Sequence, residues 1–218
     1  MQTASTARHS STSIKQTKLG AFFLAGTARR GAIAAVLILL IVAILDLAYG
    51  RGLPAQQGIR NFGQVNQSLY RGAQPDEAGM LSLKRLGVKT IVNLRTTKEA
   101  WKQEAVLAQA NGIVYTNVPL QGSGRPKEDQ IATALAIIQN SPAPVFVHCR
   151  YGCDRTGTII ACYRIQHDAW SSVAALAEAR RYGMSWFERG MRSYVLDFGK
   201  KAKPTQSRAK LAEVAIQN

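Results

Sequence analysis

The stretch VFVHCRYGCDRTGTIIACYR, from Val145 to Arg164, constrains the fold more than any other in the 218-residue chain. A short apolar strand over 144–148 ends at His148, and a mostly apolar helix follows over 157–167. A buried strand joined by a few residues to a helix is the repeating unit of a parallel sheet covered by helices. The loop between them faces a helix N-terminus. Its backbone N–H groups turn inward there and make an anion site.

The rest of residues 58–198 repeats the alternation. Residues 67–71 read as a strand ending in the turn Gly72-Ala73-Gln74-Pro75. Asp76 is placed to cap a helix with Met80, Leu81, Leu83 and Leu86 on one face, stopping at Gly87. Residues 88–94 form a β-branched buried strand, 97–110 a helix and 113–119 another strand. A flexible loop over 121–126 leads to an amphipathic helix at 131–139. Ser171 or Ser172 caps a helix running to Arg181, and 185–198 form the last helix. The expected fold class is α/β, with a central, mostly parallel sheet flanked by helices on both faces.

Charge narrows the partners. The 28 Lys+Arg exceed the 13 Asp+Glu by 15, which at first suggests a polyanionic partner. Ten of the 28 basic residues lie in residues 1–30 and 199–218, which read as a flexible N-terminal tail and a solvated, disordered C-terminal tail. Residues 51–198, the folded domain, carry only +7, so nucleic acid is not the expected ligand. Three cysteines without a CxxC pair exclude a disulfide scaffold, and three histidines do not suggest a zinc cluster.

Residues 31–45 read GAIAAVLILLIVAIL, fifteen residues without a charge. Fifteen helical residues reach about 22 Å against a bilayer core of about 30 Å, and extension to residue 50 supplies the rest. Asp46 and Tyr49 then lie near an interface. Residues 31–50 therefore read as a single-pass signal anchor and membrane contact. A cleaved signal peptide, with Ala48 and Gly50 as small residues for processing, and a buried core helix are the alternatives. Lys15, Lys18, Arg29 and Arg30 upstream outnumber Arg51 and Arg60 downstream. That balance puts the N-terminus in the cytoplasm and the domain outside, or in the periplasm. A reactive thiolate with Cys153 beside it would instead suit a reducing cytosol.

Within the loop, five residues separate Cys149 from Arg155. That spacing lets the chain curl into a cradle, with the sulfur at the bottom and the guanidinium across the rim. The helix dipole, the N–H groups and Arg155 all favour a thiolate, so Cys149 is expected to be nucleophilic at neutral pH. Arg155 can hold two phosphoryl oxygens through its planar fork. Gly152 permits a positive φ, and Gly157 close packing where the helix starts.

His148-Cys149-x5-Arg155-Thr156-Gly157 resembles the phosphate loop of the cysteine-based protein tyrosine phosphatases. Asn61-Phe62, Val65, Leu69-Tyr70-Arg71-Gly72, Gln74-Pro75-Asp76 and Leu86-Gly87-Val88 extend the match over roughly 59–195. They resemble the plant and fungal atypical dual-specificity phosphatases and their bacterial relatives. The resemblance implies hydrolysis of a phosphomonoester, on a phosphorylated protein or small molecule, through a cysteinyl-phosphate. It implies no metal and no cofactor. Cys149 would be the nucleophile and Arg155 the clamp. The amides of Arg150, Tyr151, Gly152, Cys153, Asp154 and Arg155 would cradle the phosphate. His148 would support the thiolate from behind, and Thr156 would hydrogen-bond the sulfur.

The chain departs from the plant and fungal pattern at Cys153-Asp154, where those members carry two basic residues. That loss weighs against inositol pyrophosphates, and Arg150 partly restores the charge. The leaving oxygen needs a proton donor, normally an Asp on an upstream loop, yet residues 119–126 contain no acid. Asp129 is the first candidate donor, with Glu128 and Asp154 as alternatives. Asp154 could equally stiffen the loop or pair with a neighbour. Cys153 is either inert or a trap for oxidised Cys149, and Cys162 is expected to be a packing residue. Arg71 and Arg95 are open between the cleft and a structural role. A weak phosphate-binding module, inositol polyphosphate or phosphoinositide hydrolysis, and sulfur transfer remain as competing functions. Arg155-Thr156-Gly157 fits phosphate better than the last.

Overall fold

The computed structural model describes residues 32–41 and 52–216. The chain divides into two units, residues 1–50 and 51–218. In the first, residues 32–41 form helix α1, on which Ile33, Val36, Leu37, Ile38, Leu39, Leu40 and Ile41 are each more than half exposed. Ten helical residues reach about 15 Å, half of a bilayer core. Among the described residues no helix is long and apolar enough to cross a membrane. Residues 1–31, expected as the tail and the start of the span, and 42–50, its remainder, lie outside the described residues.

The second unit is built on a five-stranded sheet of order β1-β2-β5-β3-β4. The strands are β1 (Gly63–Asn66), β2 (Leu69–Ala73), β3 (Thr90–Asn93), β4 (Val114–Asn117) and β5 (Val145–Cys149). All pairings are parallel except β1 with β2, an antiparallel edge hairpin absent from the sequence reading. Its turn is closed by the Ser68 amide donating to Asn66 Oδ1 at 2.9 Å. Strand β2 runs on through Gly72 and Ala73, expected as turn, because they pair with His148 and Cys149 of the central strand.

Alternation along the strands separates two apolar layers. Val145, Val147 and Cys149 face the layer of α4 (Glu128–Asn140), α5 (Asp154–Gln166), α6 (Ser172–Arg181) and α7 (Arg189–Ile216). Phe146 faces Met80 and Leu83 of α2 (Glu77–Arg85) and Ala108 of α3 (Glu104–Ala110). Asp76 caps α2 by accepting from the Gly79 amide at 2.8 Å, and Ser171 caps α6 through Ala174 at 3.2 Å. Leu81, expected on the buried face of α2, is exposed.

Two further departures bear on function. Helix α3 begins at Glu104 rather than at 97, because the Thr96 amide and hydroxyl both donate to Glu99 Oε2 and fold residues 96–99 into a turn. Helix α7 continues to Ile216 through the expected disordered tail. Phe198 and Ala202 pack against the core, and Lys201 pairs with Glu128, which extends the helix beyond 198.

Candidate active site

The parallel strands end together, so the loops after β2, β3, β4 and β5 converge on one edge of the sheet. Ligands of open α/β sheets bind at such carboxyl edges. Cys149 closes β5, the central strand, and is buried. The pleat turns its neighbour His148 to the other face, where Nε2 lies 2.8 Å from Glu104 Oε1 on α3. Both side chains are fully buried, and the contact is a close charge pair lying off the N–H direction. His148 Nδ1 is 3.3 Å from the Cys149 carbonyl. Glu104 Oε2 also accepts from Asn93 Nδ2 at 2.8 Å. A buried polar chain thus runs from the β3 strand to the backbone of Cys149.

The 150–153 loop is locked onto β2. Gly152 has φ +70°, and a Cβ there would lie 2.5 Å from the carbonyl carbon and oxygen of Gly72. Only glycine fits both the conformation and the approach. Its carbonyl accepts from Arg71 Nη2 at 2.8 Å. Arg71 is fully buried, stacks 3.8 Å over the Tyr182 ring, and leaves Nε and Nη1 without a hydrogen bond among the described residues. Burial lowers its pKa to about 10, so it stays a cation at neutral pH, within electrostatic reach of Cys149. Asn61, buried at φ +53°, donates to the Tyr151 and Tyr182 carbonyls at 3.1 and 2.9 Å and to Cys153 Sγ at 3.4 Å.

Arg155, in the first turn of α5, places Nη1 2.7 Å from Glu99 Oε2 and 3.4 Å from the Leu120 carbonyl. Its guanidinium therefore bridges the loops after β3 and β4 across the mouth of the cradle. The Arg155 hydrogen bond is the main reason the Glu99 pKa falls to about 2. Glu99 also lines a cavity of about 560 Å³ with Arg60, Arg95, Lys98, Arg150 and Tyr151. Burial lowers the Arg95 pKa, and Arg155 and Arg150 lower it further, while Glu99 opposes them.

The family model described as a DSP-PTPase phosphatase fused to NAD+ kinase matches residues 54–195. The chain belongs to this DSP-PTPase family. It is 32% identical over 126 residues to the dual specificity protein phosphatase TpbA of Pseudomonas aeruginosa (strain UCBPP-PA14), covering 56% of this chain and 55% of that one. It is 30% identical over 132 residues to the putative tyrosine-protein phosphatase OCA1 of Mycosarcoma maydis, covering 56% of this chain and 79% of that one. The crystal structure of a cysteine-to-serine variant of P. aeruginosa TpbA in complex with pTyr superposes with a TM-score of 0.57 at 26% identity, covering 70% of this chain and 96% of that one. The chain thus spans about half the length of TpbA.

In this DSP-PTPase domain the residues expected at the site separate into groups. Cys149, Arg150, Tyr151, Gly152, Cys153, Asp154 and Arg155 form the loop and first turn at the sheet edge. The Thr156 hydroxyl, which the resemblance puts on the sulfur, is buried and makes no hydrogen bond among the described residues. Cys153 is fully buried, its thiol on the Tyr151 carbonyl at 3.3 Å and on the Asn61 side. Asp154 Oδ1 accepts from the Ser185 amide at 2.8 Å, which ties the loop to the segment after α6. Cys162 is buried in α5, and desolvation pushes its thiol up, as a packing residue requires.

The expected proton donors lie elsewhere. Asp129 is exposed in the first turn of α4, and Glu128 beside it is exposed and held by Lys201. The 119–126 loop, expected to be flexible, is fastened to α7. The Gly124 amide donates to Glu188 Oε2 at 3.2 Å, and Arg125 reaches Asp197 at 3.1 Å and Ser193 at 3.2 Å. Among the described residues no cluster of three His, Cys, Asp or Glu is arranged to hold a metal ion.

Sequence reasoning missed Glu99, Glu104 and Asn61 as site residues. Glu99 and Glu104 lie within what reads as one helix over 97–110. Thr96 three residues before Glu99 is the capping pattern that marks the turn.

Proposed function

We propose that this domain hydrolyses phosphomonoesters, phosphotyrosine-type protein substrates first, with Cys149 as nucleophile and Arg155 as clamp. One observation carries the reading. Cys149 ends the central strand beneath a loop whose Gly152 approach is fixed by β2, and Arg155 reaches over its mouth on a carboxylate that an incoming phosphoryl group can replace. Buried Arg71 keeps a positive charge behind the loop, and the α5 N-terminus adds its dipole; both favour a thiolate. The sulfur attacks phosphorus, the S–P bond forms as the P–O bond breaks, and water then hydrolyses the cysteinyl-phosphate. His148 and Glu104 hold the Cys149 backbone from the opposite face. The test is hydrolysis of an aryl phosphate by the full chain, with turnover abolished in Cys149→Ser while the fold is kept. Equal turnover in that variant ends the proposal.

A second reading is a polyphosphorylated small molecule, such as an inositol polyphosphate or phosphoinositide. The basic wall of Arg60, Arg95, Lys98 and Arg150 beside the loop favours it. A panel of phosphotyrosine peptides, phosphoinositides and inositol polyphosphates ranks the two by kcat/KM. Tight binding of all three with negligible turnover would instead mark a phosphate-binding module. On the same proposal, residues 31–50 anchor the chain as a single membrane pass, N-terminus in the cytoplasm and the catalytic unit external or periplasmic. The flank count supports it: Lys15, Lys18, Arg29 and Arg30 against Arg51 and Arg60. A reporter that works only in the cytosol, fused after residue 218, must be silent; activity overturns the orientation.

A further inference from the structure

Resting on the phosphatase reading above, we propose that Glu99 is the acid–base residue of the reaction, donating the proton to the leaving oxygen. The carboxyl groups around the sheet edge leave few rivals. Glu104 is buried behind β5 against His148 and Asn93. Asp76 caps α2, Asp154 is turned to the Ser185 amide, and Glu188 accepts from Gly124. Glu128 is held by Lys201, and Asp129 is exposed on α4. Glu99 is the carboxylate that lines the cleft with Arg150 and Tyr151 of the phosphate loop.

Its geometry suits the task. Glu99 Oε2 is 2.7 Å from Arg155 Nη1, so a phosphoryl group that takes over this guanidinium arrives beside the carboxyl group. In an in-line displacement the leaving oxygen points away from the sulfur, toward the mouth of the cleft. There the Glu99 side chain is 36% exposed, while that of Arg155 is 7% exposed. The loop after β4, which supplies no acid, contributes the Leu120 carbonyl to the other side of the same guanidinium.

The resting protein holds Glu99 as a carboxylate through Arg155, helped by the Thr96 hydroxyl and amide. Lys98 and Arg95 on its own loop, Arg150 on the phosphate loop and Arg60 also face the cleft. A bound phosphoryl dianion withdraws Arg155 and offsets these cations with two negative charges. Both changes raise the proton affinity of Glu99 within the complex. In the first half-reaction the S–P bond forms, the P–O electron pair passes to the leaving oxygen, and that oxygen takes the Glu99 proton. In the second, the Glu99 carboxylate takes a proton from the attacking water as the new P–O bond forms and the S–P bond breaks. The products are alcohol, inorganic phosphate and the thiolate, with one water consumed.

The test is kcat/KM of the full chain and of Glu99→Gln on two esters, phenyl phosphate and 2,4-dinitrophenyl phosphate. Phenoxide needs a proton to leave and dinitrophenoxide does not. The variant should lose on the order of 10²-fold on phenyl phosphate and at most a few-fold on the dinitrophenyl ester, and Glu99→Asp should narrow that gap. Equal losses on both esters would make Glu99 a positioning residue for Arg155. Gains on both would make it only a competitor of phosphate. Either result overturns the proposal, as does a gap that Asp leaves unchanged. An unmutated chain inactive on both esters would instead refute the phosphatase reading itself.

Discussion

Replacing Glu104 by Leu should destabilise the catalytic unit by about 2–5 kcal/mol. The side chain is fully buried, with Oε1 2.8 Å from His148 Nε2 and Oε2 accepting from Asn93 Nδ2 at 2.8 Å. Leucine leaves the His148 Nε2 and part of the Asn93 amide demand unmet, each at about 1–3 kcal/mol. Asn93 Nδ2 keeps the Tyr115 hydroxyl at 2.9 Å, which holds its share at the low end. The carboxylate desolvation that Leu relieves offsets part of the loss, yet breaking one side of a buried pair still typically costs about 3–5 kcal/mol. Glu104→Gln retains one acceptor but presents an NH2 to His148, so roughly 1–2 kcal/mol is expected from one poorly made contact. Urea unfolding followed by tryptophan fluorescence reads both, with Cm shifted and m unchanged. Because His148 reaches the Cys149 carbonyl, kcat/KM should fall along with stability. A Glu104→Leu protein within about 0.5 kcal/mol of the parent would refute the buried chain as a support of the loop.

Gly152→Ala forces alanine to φ +70° and a Cβ to 2.5 Å from Gly72; beyond about 1–2 kcal/mol of left-handed strain, the loop must shift, and phosphatase assays should show a large kcat loss. Asn61→Ala removes bonds to Leu53, Tyr151 and Tyr182, for roughly 3 kcal/mol at about 1 kcal/mol each, read by thermal unfolding. Glu99 has a folded pKa of about 2, below the unfolded value near 4.3, so its stabilisation is present above that value and lost as pH falls toward about 2. The Tm difference between the parent and Glu99→Gln should therefore be constant above pH 5 and close below it; the pair is partly exposed, so the difference corresponds to under about 1 kcal/mol. Dialysis against EDTA should leave aryl phosphate turnover unchanged, whereas restoration by an added divalent cation would contradict the metal-independent reaction.

Much of the central β–α unit was legible because short-range rules govern it. Val145 to Cys149, the glycine at 152 and the helix from Asp154 follow from apolar run, turn chemistry and helix start. The antiparallel β1 was not, because GQVN is short and its partner is chosen by the turn at Asn66. Residues 97–103 show hydrophobic and acidic spacing compatible with helix, and only the Arg155 guanidinium, 56 positions away, makes the Glu99 turn useful. The proton-donor candidates named from sequence were neighbours of the expected loop in chain order. In the fold, Glu128 belongs to Lys201 of α7, and a carboxylate from the loop after β3 occupies the cleft. The C-terminal basic residues read as a tail because charge hides the α7 face that carries Phe198 and Ala202 to the core.

The most direct measurement is acid quench of the full chain during turnover of an aryl phosphate, followed by peptide mass spectrometry. A phosphoryl group on the peptide carrying Cys149, lost in Cys149→Ser together with turnover, is the predicted result. Turnover that persists in Cys149→Ser, or phosphate trapped on a different residue, would contradict nucleophilic catalysis by Cys149.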